Sequence, residues 1–140
     1  HFMEVVRACA APRRESYDTW ITDELMDSYQ QLHQLGHAHS IEVWQQDELI
    51  GGLYGISVGR LFCGESMFYR QPDASKIALV ALCRHFAHNG GELIDCQMQT
   101  EHLLSLGAQE WPRAHYLKRL HQLRILTVTP ECWACQQVEL

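Results

Sequence analysis

Between Ile41 and Tyr69 the chain reads as three extended apolar runs, Ile41 to Gln45, Leu49 to Val58 and Leu61 to Tyr69, separated only by Gln46-Asp47-Glu48 and by Gly59-Arg60. Connections that short cannot carry a crossover, so consecutive runs must pair antiparallel as a meander. After Pro72-Asp73 the hydrophobic period lengthens to that of a helix: Ala78, Leu79, Leu82, Cys83 and Phe86 share one face of a segment from Ser75 to His88, which Asn89-Gly90-Gly91 ends. A strand from Leu93 to Met98 is expected directly afterwards. The apolar face of such a helix has to be buried against the sheet, which predicts an α+β layer arrangement with helices flanking a mainly antiparallel sheet.

Ahead of the meander, Phe2, Val5, Val6 and Cys9 recur at helical spacing until Pro12, and a polar loop follows through Asp18. Residues 1–18 are therefore read as a helix and loop leading into a domain formed by residues 19–140. A second helix opens at Thr22, an N-cap residue type followed by Asp23 and Glu24 where the helix dipole is positive. It carries Leu25, Tyr29 and Leu32 on one face and ends at Gly36. Downstream, Thr100 caps a short helix through Leu106, closed by Gly107; after Pro112 another runs from about Arg113 to Leu123 with Tyr116, Leu120 and Leu123 inward. No repeat or low-complexity tract divides the 140 residues, so one domain is expected.

Composition excludes several classes. No apolar run approaches the roughly twenty residues that span a bilayer, the stretch from Ile77 to Cys83 being only seven residues long. His1-Phe2-Met3-Glu4 does not open a secretory leader, so a cytoplasmic location is expected, where six cysteines are thiols rather than a disulfide framework. Eleven Lys and Arg against seventeen Asp and Glu give a formal charge of −6, which taken whole argues against a chain that coats itself in nucleic acid. The charge is polarised, however. Residues 15–110 hold fourteen acids and four bases, whereas residues 111–130 contain Arg113, Lys118, Arg119 and Arg124 and no acid. A basic helix face of this kind can follow a phosphate backbone, although a merely solvated face is at least as common.

Chemistry concentrates in two strands. Alternation along Leu93 to Met98 puts Asp95 and Gln97 on one face and Ile94, Cys96 and Met98 on the other. A carboxylate and an amide in an otherwise apolar strand are costly to bury unless paired, and such a local inconsistency often marks a site. The plainer reading, in which Gln97 merely satisfies Asp95 or a loop backbone, stays open at this point. The second cluster is Gly64-Glu65-Ser66-Met67-Phe68, where glycine permits close approach of another backbone or a ligand and alternation places Glu65 and Met67 on a shared face. Gly51-Gly52-Leu53-Tyr54-Gly55 lies within a strand and fits no phosphate loop, which leaves a bulge or sheet bend. Cys132-Trp133-Ala134-Cys135 has no second pair at zinc spacing, and the nine histidines form no recognised ligand set, so no metal is expected.

Several blocks, taken in order, carry a family resemblance: Thr19-Trp20-Ile21-Thr22, Gly36 to Trp44, Gly51 to Gly55, Leu61 to Phe68, Ala74-Ser75-Lys76, Leu93 to Gln97 and Ser105 to Ala108. Together they resemble leucyl/phenylalanyl-tRNA–protein transferase, in register from about Glu4 to His121. The resemblance implies a bacterial enzyme that moves Leu or Phe from the 3′ end of its aminoacyl-tRNA to a protein N-terminus bearing Arg or Lys, marking it for N-end-rule degradation. It also implies a catalytic domain of the GNAT acyltransferase fold that uses no acyl-CoA and no other cofactor. By position, a hydrophobic pocket for the aminoacyl side chain draws on Leu53, Phe62, Met67, Leu79, Leu82 and Phe86, with Gly64 and Ile94 beside them. Trp20 matches a tryptophan that stacks near the terminal adenosine.

Asp95 and Gln97 match the family's catalytic pair. An amide is a very poor base, so Asp95 is assigned to orient the attacking amine and take up its proton, and Gln97 to position Asp95 and the nucleophile. Glu65 then hydrogen-bonds the aminoacyl moiety or recognises the basic acceptor. Arg113, Lys118 and Arg119 are candidate RNA contacts, and weak, salt-sensitive tRNA binding is expected from so small a basic patch. Members of the family normally carry a smaller domain ahead of the segment matching Glu4, so these residues are read either as a fragment or as a short relative; past about Leu123 the usual pattern is lost. The competing readings are a non-catalytic aminoacyl-tRNA or N-degron binding module and an acetyl-CoA-dependent acetyltransferase, the latter lacking its pyrophosphate loop.

Overall fold

The computed structural model describes residues 1–11 and 19–140; the expected stop at Pro12 and the loop through Asp18 lie outside them. The meander forms as short connections require: β1 (Ala38–Gln45), β2 (Glu48–Val58) and β3 (Leu61–Tyr69) pair antiparallel in sequence order. Helix α3 (Ala74–His88) then crosses over and delivers β4 (Leu93–Asp95) parallel to β3, with Leu61, Phe62 and Cys63 opposite Leu93, Ile94 and Asp95. The result is a four-stranded mixed sheet in the order β1-β2-β3-β4 within an α+β fold. The strand expected to reach Met98 stops at Asp95, because Gln97 takes a left-handed φ of +64° that no pleated strand tolerates.

The two faces of the sheet are covered by different helices. On one, α3 lays Ala78, Leu79, Leu82 and Phe86 against Ile41, Leu53 and Phe62. On the other, α1 (Phe2–Ala10) buries Phe2, Val5, Val6 and Cys9 together with Tyr29 of α2 (Asp23–Gln34), Leu49 and Tyr54. Thr22 caps α2 as its residue type predicts, its Oγ1 accepting from the Leu25 amide at 3.2 Å. Glycine in β2 has a specific use: a Cβ on Gly51 would stand 2.5 Å from Ala74 Cβ, so only glycine lets α3 begin directly on the strand. Helices α4 (Glu101–Ser105) and α5 (Arg113–Leu123) follow β4, and among the described residues no helix is long and apolar enough to cross a membrane.

β1 begins three residues before the apolar pattern suggests, at Ala38, and buries a histidine. The cause lies far along the chain. A 3-10 turn at Pro130–Trp133 brings the Trp133 ring flat against His39, centroids 4.2 Å apart, and against Phe62 and Phe86 on the α3 side. Burial, helped by nearby His33, lowers the His39 pKa to about 4, and its Nε2 has no hydrogen-bond partner among the described residues. Unfolded, the same ring titrates near 6.5. Between those values the unfolded chain binds the extra proton, so the His39 contribution is whole above about pH 6.5 and is lost as pH falls through about 4. Urea unfolding between pH 7 and pH 4 is expected to show on the order of 3 kcal/mol of acid destabilisation from this residue. His39→Phe, which keeps the stack, is expected to flatten the profile by about one proton; an unchanged slope refutes the assignment.

Candidate functional site

The site starts from an irregularity in the β2–β3 pairing. Tyr54 faces Ser66 and Gly55 faces Gly64, which leaves Glu65 as the extra residue of a bulge. A bulge shifts the side-chain alternation, and Glu65 and Met67 do not share the face that strict alternation predicts. Met67 packs with the α3-side cluster, whereas the Glu65 carboxylate accepts from the hydroxyl of Tyr29, a member of the opposite cluster, at 2.8 Å. Its other oxygen accepts from Gln97 Nε2 at 3.2 Å.

Asp95 and Gln97 do come together, but through a turn rather than a pleat. Asp95 Oδ1 accepts the Gln97 amide at 2.7 Å, and Oδ2 accepts the Tyr116 hydroxyl from α5 at 2.6 Å. A continuous line of hydrogen bonds thus runs Tyr29, Glu65, Gln97, Asp95, Tyr116, drawing on α2, the β3 bulge, the end of β4 and α5. The left-handed backbone of Gln97 is the strained element in it, a cost tolerated where surrounding contacts over-determine the geometry.

Electrostatics set this line apart. The ion pairs among the described residues involve Glu4, Glu42, Asp73 and Glu92, and none reaches Asp95 or Glu65. Two carboxylates are therefore held by neutral donors, with no ion pair to a cation among the described residues. Burial and the adjoining carboxylate push the phenols of Tyr29 and Tyr116 well above their usual range, so both remain donors. Cys63, which lies near both acids, is driven up to about 11 by burial and by Asp95 and Glu65; it is a neutral thiol at physiological pH, not a nucleophilic thiolate.

Asp95, Gln97 and Tyr116 lie on the wall of a cleft of about 1040 Å³ between β4 and the α4–α5 segment, with Leu79, Ile94 and Leu103 on its apolar side. Of the residues expected to form an aminoacyl pocket, Leu79 and Ile94 line this cleft. Leu53, Phe62, Leu82 and Phe86 are packed in the adjoining core, and half-buried Met67 leans on it. Gly64 stands beside β4, where an added Cβ would meet the Asp95 carbonyl oxygen at an ordinary 3.5 Å. Trp20 is 57% exposed just ahead of α2. Of the basic residues of α5, Arg113 lines the cleft and Lys118 is exposed, while Arg119 is committed to Glu92 at 2.8 Å. Cys132 is buried and Cys135 exposed.

Sequence reasoning assigned Tyr29 and Tyr116 only to inward helix faces. The signal available was that a phenol in an apolar stripe needs a polar partner once buried, but nothing local named the two acids.

Comparison with known proteins follows the same residues. A family model described as leucyl/phenylalanyl-tRNA protein transferase matches residues 1–121. A leucyl/phenylalanyl-tRNA–protein transferase of Tolumonas auensis is 63% identical over 139 residues, covering 99% of this chain and 59% of the relative. Those of Aeromonas hydrophila and Yersinia enterocolitica are each 56% identical, over 132 and 137 residues, covering 94% and 98% of this chain and 56% and 57% of theirs. The chain spans a little over half the length of these relatives. The family model ends at residue 121, close to where the usual pattern is expected to be lost, while the Tolumonas alignment runs on past Leu123. Matched along most of its length by the family model and along nearly all of it by these relatives, the chain belongs to the leucyl/phenylalanyl-tRNA–protein transferase family.

Proposed function

We propose that these residues form the catalytic part of a transferase that moves Leu or Phe from the 3′ end of aminoacyl-tRNA to an acceptor protein beginning with Arg or Lys, tagging it for N-end-rule degradation in the cytoplasm. The observation that carries this reading is the pair of carboxylates, Asp95 and Glu65, bridged by Gln97 and ion-paired to no cation among the described residues. A basic N-terminal residue brings two positive charges, its α-ammonium and its side chain, to a place prepared for them. We assign residues 19–140 to a GNAT-like domain, with residues 1–18 leading into it, and the apolar cleft side at Leu79 and Ile94 to the aminoacyl side chain.

The chemistry asked of the site is modest. An α-amine has an unperturbed pKa of about 7.7–8.0, so one proton must leave before its lone pair can attack. Asp95 receives that proton, directly or through water, while Gln97 orients the nucleophile. The nitrogen bonds to the ester carbonyl carbon, the bond from that carbon to the ribose oxygen breaks, and a second proton passes from the nitrogen to that oxygen while the first goes on from Asp95 to water: ester and ammonium become amide, alcohol and a released proton. Trp20 offers a stacking surface to the terminal adenosine, and Arg113 and Lys118 meet the acceptor-end phosphates.

The test is to incubate the purified protein with labelled Phe-tRNA and a peptide beginning with Arg, and in parallel with acetyl-CoA. Label on the peptide, diminishing as salt is raised, is the expected result. Binding of Phe-tRNA without turnover supports a binding module instead, and acetylation alone an acetyltransferase.

A further inference from the structure

Helix α5 reaches the Asp95 carboxylate through one side chain. Tyr116 is half-buried and belongs to neither core cluster, yet its hydroxyl lies 2.6 Å from Asp95 Oδ2. The other oxygen of the same carboxylate is taken by the Gln97 amide at 2.7 Å. One donor fixes a carboxylate's distance; two donors from different elements also fix its plane. The Gln97 amide belongs to the same turn as Asp95 and moves with it, so Tyr116 is the hydrogen bond that ties the Asp95 carboxylate to a separate element.

The helix that carries Tyr116 is itself held to the base of β4. Arg119, three residues on and so on the same face, bonds Glu92 at 2.8 Å, and Arg60 bonds the other oxygen of Glu92 at 3.0 Å. Arg60 in turn donates to the Thr127 carbonyl at 3.0 Å and, through its backbone amide, to that of Leu123 at 3.1 Å. Hydrogen bonds from both arginines hold the Glu92 carboxyl below its ordinary range, which keeps the clamp charged. Tyr116 and Arg119 thus meet Asp95 and Glu92 in two rungs, one at each end of β4. A hydroxyl delivered by so braced a helix is the kind of supporting contact that holds a reacting group in productive geometry.

We infer that Tyr116 is a positioning residue for transfer, its hydroxyl fixing the orientation in which Asp95 meets the acceptor amine. The inference rests on the proposed role of Asp95. Because the Tyr116 ring is outside both core clusters, loss of its hydroxyl alone leaves folding nearly intact while freeing the Asp95 carboxylate to rotate. Misplacement of a reacting group by about 1 Å can cost on the order of 100-fold in rate.

Transfer from labelled Phe-tRNA to an Arg-initiated peptide is measured for the purified protein, Tyr116→Phe, Asp95→Asn, Asp95→Glu and the double variant Tyr116→Phe/Asp95→Glu. Tyr116→Phe is expected to lower kcat by about 10- to 100-fold, with Phe-tRNA affinity and the thermal midpoint unchanged. Added to Asp95→Glu, whose longer carboxylate no longer meets the phenol, it is expected to cost nothing more. Undiminished kcat in Tyr116→Phe beside an inactive Asp95→Asn overturns the inference and leaves the transferase reading standing. Undiminished transfer by Asp95→Asn, or an unsubstituted protein that binds Phe-tRNA without transfer, overturns both. If Tyr116→Phe lowers the thermal midpoint as well as kcat, the double variant decides: full additivity with Asp95→Glu overturns the inference, and its absence supports it.

Discussion

Asp95→Asn is expected to abolish measurable transfer, a loss of at least about 10³-fold, which is about 4 kcal/mol in the barrier. The substitution isolates charge from shape. Asparagine keeps an oxygen for the Gln97 amide, and the Tyr116 hydroxyl can turn to accept from the new amide nitrogen, so both contacts of the site survive. What disappears is the proposed acceptor for the proton of the attacking amine. Phe-tRNA affinity should therefore hold, and the thermal midpoint should not fall, since no cation among the described residues pairs with Asp95. Single-turnover transfer, filter binding and thermal unfolding of the two proteins check the three statements together. An active Asp95→Asn protein removes the proton acceptor from the mechanism.

The second large effect is expected from Gly55→Ala, a change of one methyl group. A Cβ at Gly55 overlaps the Cys63 carbonyl oxygen and would sit 2.6 Å and 2.8 Å from two atoms of the Phe62 ring. Neither neighbour can yield: Phe62 is fully buried between the sheet and α3, and the Cys63 carbonyl belongs to the strand that pairs with β2. The strands must part, at about 3 kcal/mol, near the upper end for overpacked interiors. They part at the bulge that aims Glu65, so transfer should fall more than about 10-fold even at temperatures where the variant remains folded. Urea titration and acceptor-peptide kinetics on the same preparation test it. Unaltered stability would mean that the β2–β3 pairing is looser than its register implies.

How much of this was legible in the sequence follows from the range of the forces involved. The meander, α2 with its Thr22 cap, and α3 with its apolar face are dictated by neighbouring residues, and each lies within a few residues of its expected bounds. Asp95 and Gln97 were also visible locally, because polar groups in an apolar strand contradict their surroundings. The turn that joins them was not, since nothing in the residue type of Gln97 calls for a left-handed backbone. Alternation failed at Glu65 because one inserted residue reverses the faces, and a bulge is decided by how two strands pair rather than by either alone. The two phenols and the burial of His39 depend on partners 36, 21 and 94 residues away. Periodicity is blind at that distance.

The parallel seam between β3 and β4 is only three residues long, and the site straddles it. Glu65 arrives with the meander, whose contacts are local; Asp95 arrives only after α3 has crossed over. The two acids thus belong to parts of the chain that gain order at different stages and lose it at different energies. Opening of the seam separates them while the rest of the sheet stays paired. The readiness of the charge pair is therefore a matter of how often this short margin is closed, to which the arginine clamp on Glu92 contributes beside the packing of Ile94 on the core.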